Sequence, residues 1–239
     1  MMTVEDVKKE SGEEATTALA SREDVLAQLR ETRDLSGADL SGMDLAGIKV
    51  GGAKMTGVNL SGANLTEAKI GGVDMSEADL SGAEASRAKI AGVSLQKGIL
   101  KAVKLVASTL AGVSLEGADL SSADLSESKI MGVSLEGADL QSANLSKTRM
   151  TGASLESANL TGADLSESEW KRVDVSDADF TEVNTAGARA GGIDWDEAKV
   201  PPAELPEEIH LMPAWLPPLI AGVIVVLLIV LLRKKKRKA

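Results

Sequence analysis

Residues 113–132 read VSLEGADLSSADLSESKIMG, and this stretch decides the fold. Large apolar residues recur in it at every fifth position, and a small residue stands two places before each of them. The same spacing runs without insertion through 34 positions from Leu35 to Val200, with smaller or polar residues only at Ala85, Thr185 and Ala190. A period of five fits neither an α-helix nor a β-strand. It predicts a solenoid in which each five-residue unit forms one side of a coil and turns two side chains inward.

A second period gives the number of sides. Glycine recurs at every fourth unit, at positions 52, 72, 92, 112, 132, 152 and 192, and Arg172 is the one departure. A recurrence at every fourth unit means that each coil has four sides, and glycine at a fixed corner indicates a turn with positive φ. The 34 units correspond to about 8.5 coils, which at ~4.8 Å per strand-like layer make a rod about 40 Å long.

The unit Ala118-Asp119-Leu120-Ser121-Ser122 carries a resemblance to a known family. It fits the motif A-[DN]-L-x-x, and residues 33–200 resemble the pentapeptide-repeat proteins. The resemblance implies an all-β solenoid, a right-handed quadrilateral β-helix over residues 33–200. It implies no activity, because one fold can serve many functions.

Both ends of the repeat are predicted to be capped. Ser21 followed by Asp24 is typical of a helix N-cap, and Val25, Leu26 and Leu29 share one helical face. We therefore expect a short capping helix at residues 21–32, after a disordered acidic segment at 1–20. At the other end, bulky aromatic residues replace leucine and indicate a terminal cap: Trp170, Phe180 and Trp195.

The C-terminal part of the chain is predicted to enter a membrane. A Pro/Glu linker at 201–210 leads to residues 211–232, which contain no charge and have the length that a transmembrane helix needs. The basic tail at 233–239 follows, and its cations are expected to contact anionic lipid headgroups. These cations are Arg233, Lys234, Lys235, Lys236, Arg237 and Lys238.

The sequence leaves the membrane orientation open. The N-terminal part of the chain, up to Arg30, contains no signal-peptide pattern, so we expect a single-pass tail anchor with the repeat domain in the cytoplasm. The excess of positive charge in the tail favours the opposite orientation, with the tail itself in the cytoplasm.

The surface charge of the repeat is uneven. Residues 35–200 contain 15 Lys or Arg and 24 Asp or Glu residues, yet one outward column is basic. We predict that its cations form a stripe that docks an acidic partner or anionic lipid: Lys49, Lys69, Lys89, Lys129, Arg149 and Arg189. The alternative is a solvated face that nearby acids compensate, as where Glu67 stacks on Arg87.

The amino-acid composition excludes several kinds of functional site. The chain has no cysteine and one histidine, which excludes disulfides, cysteine chemistry and multi-histidine metal sites. No acid/base pair or phosphate loop stands out, so we predict no enzyme activity and no cofactor. The net charge of −10 argues against direct binding of nucleic acid.

The predicted function is that of a membrane-anchored, non-enzymatic scaffold that binds an unidentified protein partner. The family resemblance implies one alternative. Some acidic pentapeptide-repeat proteins mimic duplex DNA, bind DNA gyrase and protect it from quinolones. The acidic faces of this rod are similar in kind to those of such mimics.

Overall fold

The computed structural model describes residues 19–209, which form a right-handed all-β solenoid of about 8 turns with one short helix. The helix is α1 (Arg22–Glu31). Nine short strands follow and form one parallel sheet in sequence order. They are β1 (Lys49–Gly51), β2 (Lys69–Gly71), β3 (Lys89–Ala91), β4 (Thr109–Ala111), β5 (Lys129–Met131), β6 (Arg149–Thr151), β7 (Glu169–Lys171), β8 (Arg189–Gly191) and β9 (Glu207–Glu208).

Each position pairs with the equivalent position four units further along the chain, so each coil has four sides. The sheet forms face 1, where Lys49 pairs with Lys69. Three further ladders of single bridges form face 2 through Lys54 and Asp74, face 3 through Asn59 and Asp79, and face 4 through Asn64 and Glu84. Two units are half a coil, and faces 1 and 3 are therefore opposite sides of the rod.

The interior is a stack of apolar layers, as the five-residue period predicts. Leu100, Leu120, Leu140 and Leu160 lie one above another and are at most 1% exposed. The small residues two places before them are also buried, as at Ala118. Hydrophobic burial in this single continuous core is therefore the main force that holds the coils together.

The backbone has positive φ at every corner from residue 37 to residue 192, and not only in the glycine column. Arg172 has a φ of 51° and Gly52 a φ of 61°. Where the outward residue of a unit is Asp or Asn, it helps to hold the turn, since its side chain accepts a bond from the N–H two residues ahead. Asp119 Oδ1 accepts from Ser121 N–H at 2.9 Å in this way. The [DN] of the motif is therefore a turn-forming residue.

The N-terminal cap matches its prediction. Ser21 Oγ accepts a hydrogen bond from the Asp24 N–H, while the Asp24 carboxylate accepts one from the Ser21 N–H. This capping box starts α1 and leaves Val25 only 1% exposed against the first coil. Leu26 and Leu29 pack beside it. The helix thus covers an open end of the core.

The C-terminal end departs from the predicted register. After residue 192 the chain forms a 3₁₀ helix at Trp195–Glu197, and Phe180 N–H donates to Val200 O, one residue later than the four-unit register requires. The prediction of unbroken repeats up to residue 200 is wrong here, because no complete coil follows to hold the last units. Trp170 and Phe180 are buried, whereas Trp195 is only half-buried against Phe180.

The segment predicted as a linker is part of the rod. Strand β9 pairs with β8, so that Glu207 lies beside Arg189. This pairing uses backbone groups, and the side chains of the segment gave no sign of it. Residues 201–209 therefore close the last coil and do not act as a spacer.

The predicted transmembrane helix at 211–232, the basic tail at 233–239 and nearly all of the acidic segment at 1–20 lie outside the described residues. Within residues 19–209, no helix has the length and apolar character needed to cross a bilayer. The domain boundaries at the two ends of the chain therefore stay predictions.

Candidate interaction surfaces

The predicted basic stripe lies on face 1. Its six cations are exposed and occupy the first position of β1, β2, β3, β5, β6 and β8. Lys49, Lys69 and Lys89 are direct neighbours in the ladder, and so are Lys129 and Arg149. Adjacent cations are therefore about one strand spacing apart, ~4.8 Å. Their role in docking stays a prediction.

Ion pairing leaves most of this stripe uncompensated. Arg189 Nε lies 3.5 Å from Glu207 Oε2, and none of the other five cations forms an ion pair with a residue of the described part. Glu169 interrupts the column but pairs with Lys171. That hydrogen bond chiefly, together with Arg149 and Arg189, lowers the pKa of Glu169. The predicted Glu67–Arg87 contact forms at 3.1 Å, but on a corner beside face 1.

Face 1 is also flat. The third position of its first four strands is occupied by Gly51, Gly71, Ala91 and Ala111, so no side chain there extends beyond a methyl group. Met131 follows in the same column and is 45% exposed. The cations therefore project beyond the side chains next to them.

A second surface lies on face 3, where one coil departs from the repeat motif. Ile99 occupies the place of the outward Asp or Asn and is 45% exposed between Asp79 and Asp119. Lys97 and Lys101 lie exposed on the two corners that bound the face. We call Lys97, Ile99 and Lys101 the central patch. It lies within residues 85–115, which contain five Lys or Arg and no Asp or Glu residue in a rod that is acidic overall.

The sequence contains a signal for the central patch, but the signal is not visible when successive five-residue units are compared. Positions 39, 59, 79, 119, 139, 159 and 179 are all Asp or Asn, and only Ile99 differs in that column. A comparison of every fourth unit isolates it, whereas a comparison of successive units hides it among many other variations.

Two grooves of the described part lie at the end caps. One of about 280 Å³ lies between α1 and the first coil, with Leu29, Arg33 and Lys49 in its lining. Another of about 230 Å³ lies at the opposite end beside Trp195 and Leu205. Residues 19–209 contain no group of three or more His, Asp or Glu side chains placed to hold a metal ion.

The profile of pentapeptide repeats matches residues 34–96 and 99–194 in eight overlapping copies. The chain belongs to the pentapeptide-repeat family. HetL, a pentapeptide-repeat protein involved in regulating heterocyst differentiation in Nostoc, is 25% identical, with 77% of this chain and 99% of HetL covered and a TM-score of 0.49. QnrB1, a plasmid-mediated fluoroquinolone resistance protein, is 15% identical, with 80% and 96% covered and a TM-score of 0.42. No curated protein is significantly similar in sequence.

The turn-forming aspartates are expected to make the stability of the rod decrease at low pH. Hydrogen bonds from the side chain and N–H of the Ser or Thr two residues ahead lower the pKa of six carboxyl groups below the ordinary 3.8. Because the pKa is lower in the folded state, this stabilisation is complete above pH 3.8 and is lost as the pH falls through the folded pKa. The six are Asp34, Asp39, Asp74, Asp119, Asp174 and Asp179.

We expect the midpoint of thermal unfolding, followed by circular dichroism, to fall as the pH drops below about 4. A variant with all six residues changed to Asn is the control, because Asn59 already makes the same turn with Ser61. It should keep the fold and lose less stability in acid. An equal loss in the two proteins would show that other groups cause it.

Proposed function

We propose that this chain is a membrane-anchored, non-enzymatic interaction scaffold, and that its rod binds a partner protein through the central patch. One observation carries the proposal. In the coil that contains Ile99, the outward residue departs from the repeat motif, whereas the inward residue Leu100 follows it and is 1% exposed.

The fold gives no reason for isoleucine at this position. Ile99 N–H donates to Ala78 O at 2.9 Å and Ile99 O accepts from Leu80 N–H at 2.7 Å, as in the other coils. Isoleucine offers no oxygen to the Lys101 N–H, so the turn-forming bond of the motif is lost, and an apolar side chain faces water. A break in a local rule without a compensating gain in the fold is typical of functional positions.

The surroundings of Ile99 suggest the chemistry of the partner. Lys97 and Lys101 form no ion pair within the described residues, so both ammonium groups are available to ligands. An apolar side chain between two cations fits a protein surface with a small apolar pocket and carboxylates at its rim. Binding energy at such interfaces is concentrated in a few central residues.

The rest of the proposal rests on sequence and on the form of the rod. The uncharged residues 211–232 and the basic tail after them support a single-pass anchor. A non-enzymatic role is supported by the shallow grooves at the caps, since substrate pockets generally enclose most of their ligand.

The variant Ile99→Asp tests the central patch, because it restores the motif. The full chain carries a photo-crosslinking residue in place of Ala102, which is exposed on the corner beside Lys101. In the native cells, we expect a crosslinked partner protein whose yield falls about tenfold with Ile99→Asp, while the rod is as stable as before or more stable.

Asp139→Asn, on the same ladder two layers away, is the matched control and should leave the crosslink unchanged. An equal crosslink yield with Ile99→Asp, or no crosslinked protein with the unaltered patch, would refute the proposal. The stability measurement separates the two roles of residue 99, because a purely structural isoleucine would make Ile99→Asp less stable.

A further inference from the structure

We infer that face 1 lies against an anionic lipid surface, so that the rod rests on its side along the membrane. This inference rests on the membrane anchor of the proposed function and names the ligand of the basic stripe. It also orients the central patch, because face 3 is then the side that points away from the lipid.

The last described residues, 207–209, lie on face 1. Strand β9 continues the ladder of β8, and the N–H of Ile209 donates to Ala190 O at 2.6 Å. In the sequence, only His210 separates this point from the uncharged residues 211–232. With residues 201–209 held on the rod, almost no linker is left between face 1 and the predicted anchor.

The charge distribution favours one side of the rod. Attraction between a cation and an anionic leaflet fades within a Debye length, about 8 Å at physiological ionic strength. Six cations along a rod of about eight layers can all come within that distance only if the rod lies down on face 1. The opposite ladder on face 3 carries acids, among them Asp79, Asp119 and Asp139, which the same leaflet repels.

The flat, repetitive surface of face 1 suits a layer of lipid headgroups better than a protein partner with a specific shape. Over the first four strands, the glycine and alanine column beside the cations carries no side chain larger than a methyl group that would hold headgroups away, and Met131 in the next strand offers an apolar side chain to the interface. The first three layers repeat the same cation with no change that would fix a unique register. Such a surface suits a fluid sheet of headgroups.

The absence of cysteine allows a direct test in the full chain. Ala111→Cys places a single thiol on face 1, and Ala102→Cys places one in the same coil at the edge of face 3. Each carries an environment-sensitive fluorophore, and the protein is reconstituted in vesicles of phosphatidylcholine alone or mixed with phosphatidylserine. A quencher attached to the lipid headgroups reports contact.

With phosphatidylserine present, we expect quenching at residue 111 to be several-fold stronger than at residue 102, and to weaken in high salt. The double variant Lys69→Glu/Lys89→Glu should abolish the difference. Lys97→Glu/Lys101→Glu makes the same change of charge on the other side of the rod and should preserve it.

The outcomes separate this inference from the anchor. A chain that does not float with vesicles of either composition refutes the proposed anchor, and the inference with it. A chain that floats while residues 111 and 102 are quenched equally keeps the anchor and overturns the inference. Crosslinking of a label at residue 111 to a protein instead of lipid in native membranes would also overturn it.

Discussion

Replacing Leu120 with lysine should unfold the rod. Leu120 is fully buried between Leu100 and Leu140, and its own coil adds Leu115 and Leu125 around it. A lysine there would place an ammonium group in an apolar layer with no partner, which costs far more than the loss of contacts alone. We expect a loss of more than about 5 kcal/mol, which is comparable to the total stability of the less stable domains.

The solenoid adds a reason for so large an effect. Each coil contacts only the coils before and after it, so a charge in the middle layer disturbs two interfaces at once. Gln141→Lys introduces the same residue at an exposed corner close to Leu140 and should change stability by less than about 0.5 kcal/mol. Circular dichroism during thermal unfolding measures both, and an unaltered Leu120→Lys protein would refute the inward assignment.

Replacing Trp170 with alanine should be the second most damaging change. Trp170 is 2% exposed, its ring centre lies 6.4 Å from that of Phe180, and its indole N–H donates to Thr148 Oγ1 at 3.3 Å. The alanine would leave a cavity among the last complete coils and remove one of the two hydrogen bonds of the Thr148 hydroxyl, which still donates to Leu145 O. We expect a loss of about 3–5 kcal/mol.

Trp195→Ala is the matched control, because Trp195 is the same residue type but half-buried in the terminal cap. It should shift the midpoint of urea unfolding by clearly less than Trp170→Ala. Equal shifts for the two variants would mean that the cap, and not the aromatic core layer, limits the stability of this end.

The solenoid could be predicted because its sequence signal is repeated in every unit. Each layer needs the same inward pair, so errors in single units such as Ala85 do not obscure the period. The cap at Ser21 could be predicted because its hydrogen bonds are local. Both predictions depend on side-chain patterns that the fold itself requires.

The end of the rod could not be predicted in the same way. Trp195 and Val200 keep the five-residue spacing, although the chain around them has left the register. Spacing records which residues are apolar, but not whether another coil follows to stack on them. Strand β9 was missed because it pairs with β8 mainly through backbone groups, and because Glu207, which also lies 3.5 Å from Arg189, has no place in the five-residue pattern.

The two candidate surfaces also differ in how far the sequence could predict them. The basic stripe was visible because six cations share one column, and the structure places them together on face 1. The central patch depends on one residue, Ile99, whose meaning appears only against its neighbours one coil away. A departure from the repeat motif can therefore be interpreted only by comparison with the residues that lie above and below it in the neighbouring coils.

The four-unit register also means that a change in the number of repeats can alter two properties of the rod, its length and the direction in which its columns point. Loss or gain of one whole coil changes its length by about 4.8 Å and leaves every column on its original side. Loss or gain of one five-residue unit turns everything beyond it by a quarter revolution. A gene that grows by duplicating repeats can thus adjust the distance between two sites in steps of one layer and their relative direction in steps of a quarter turn.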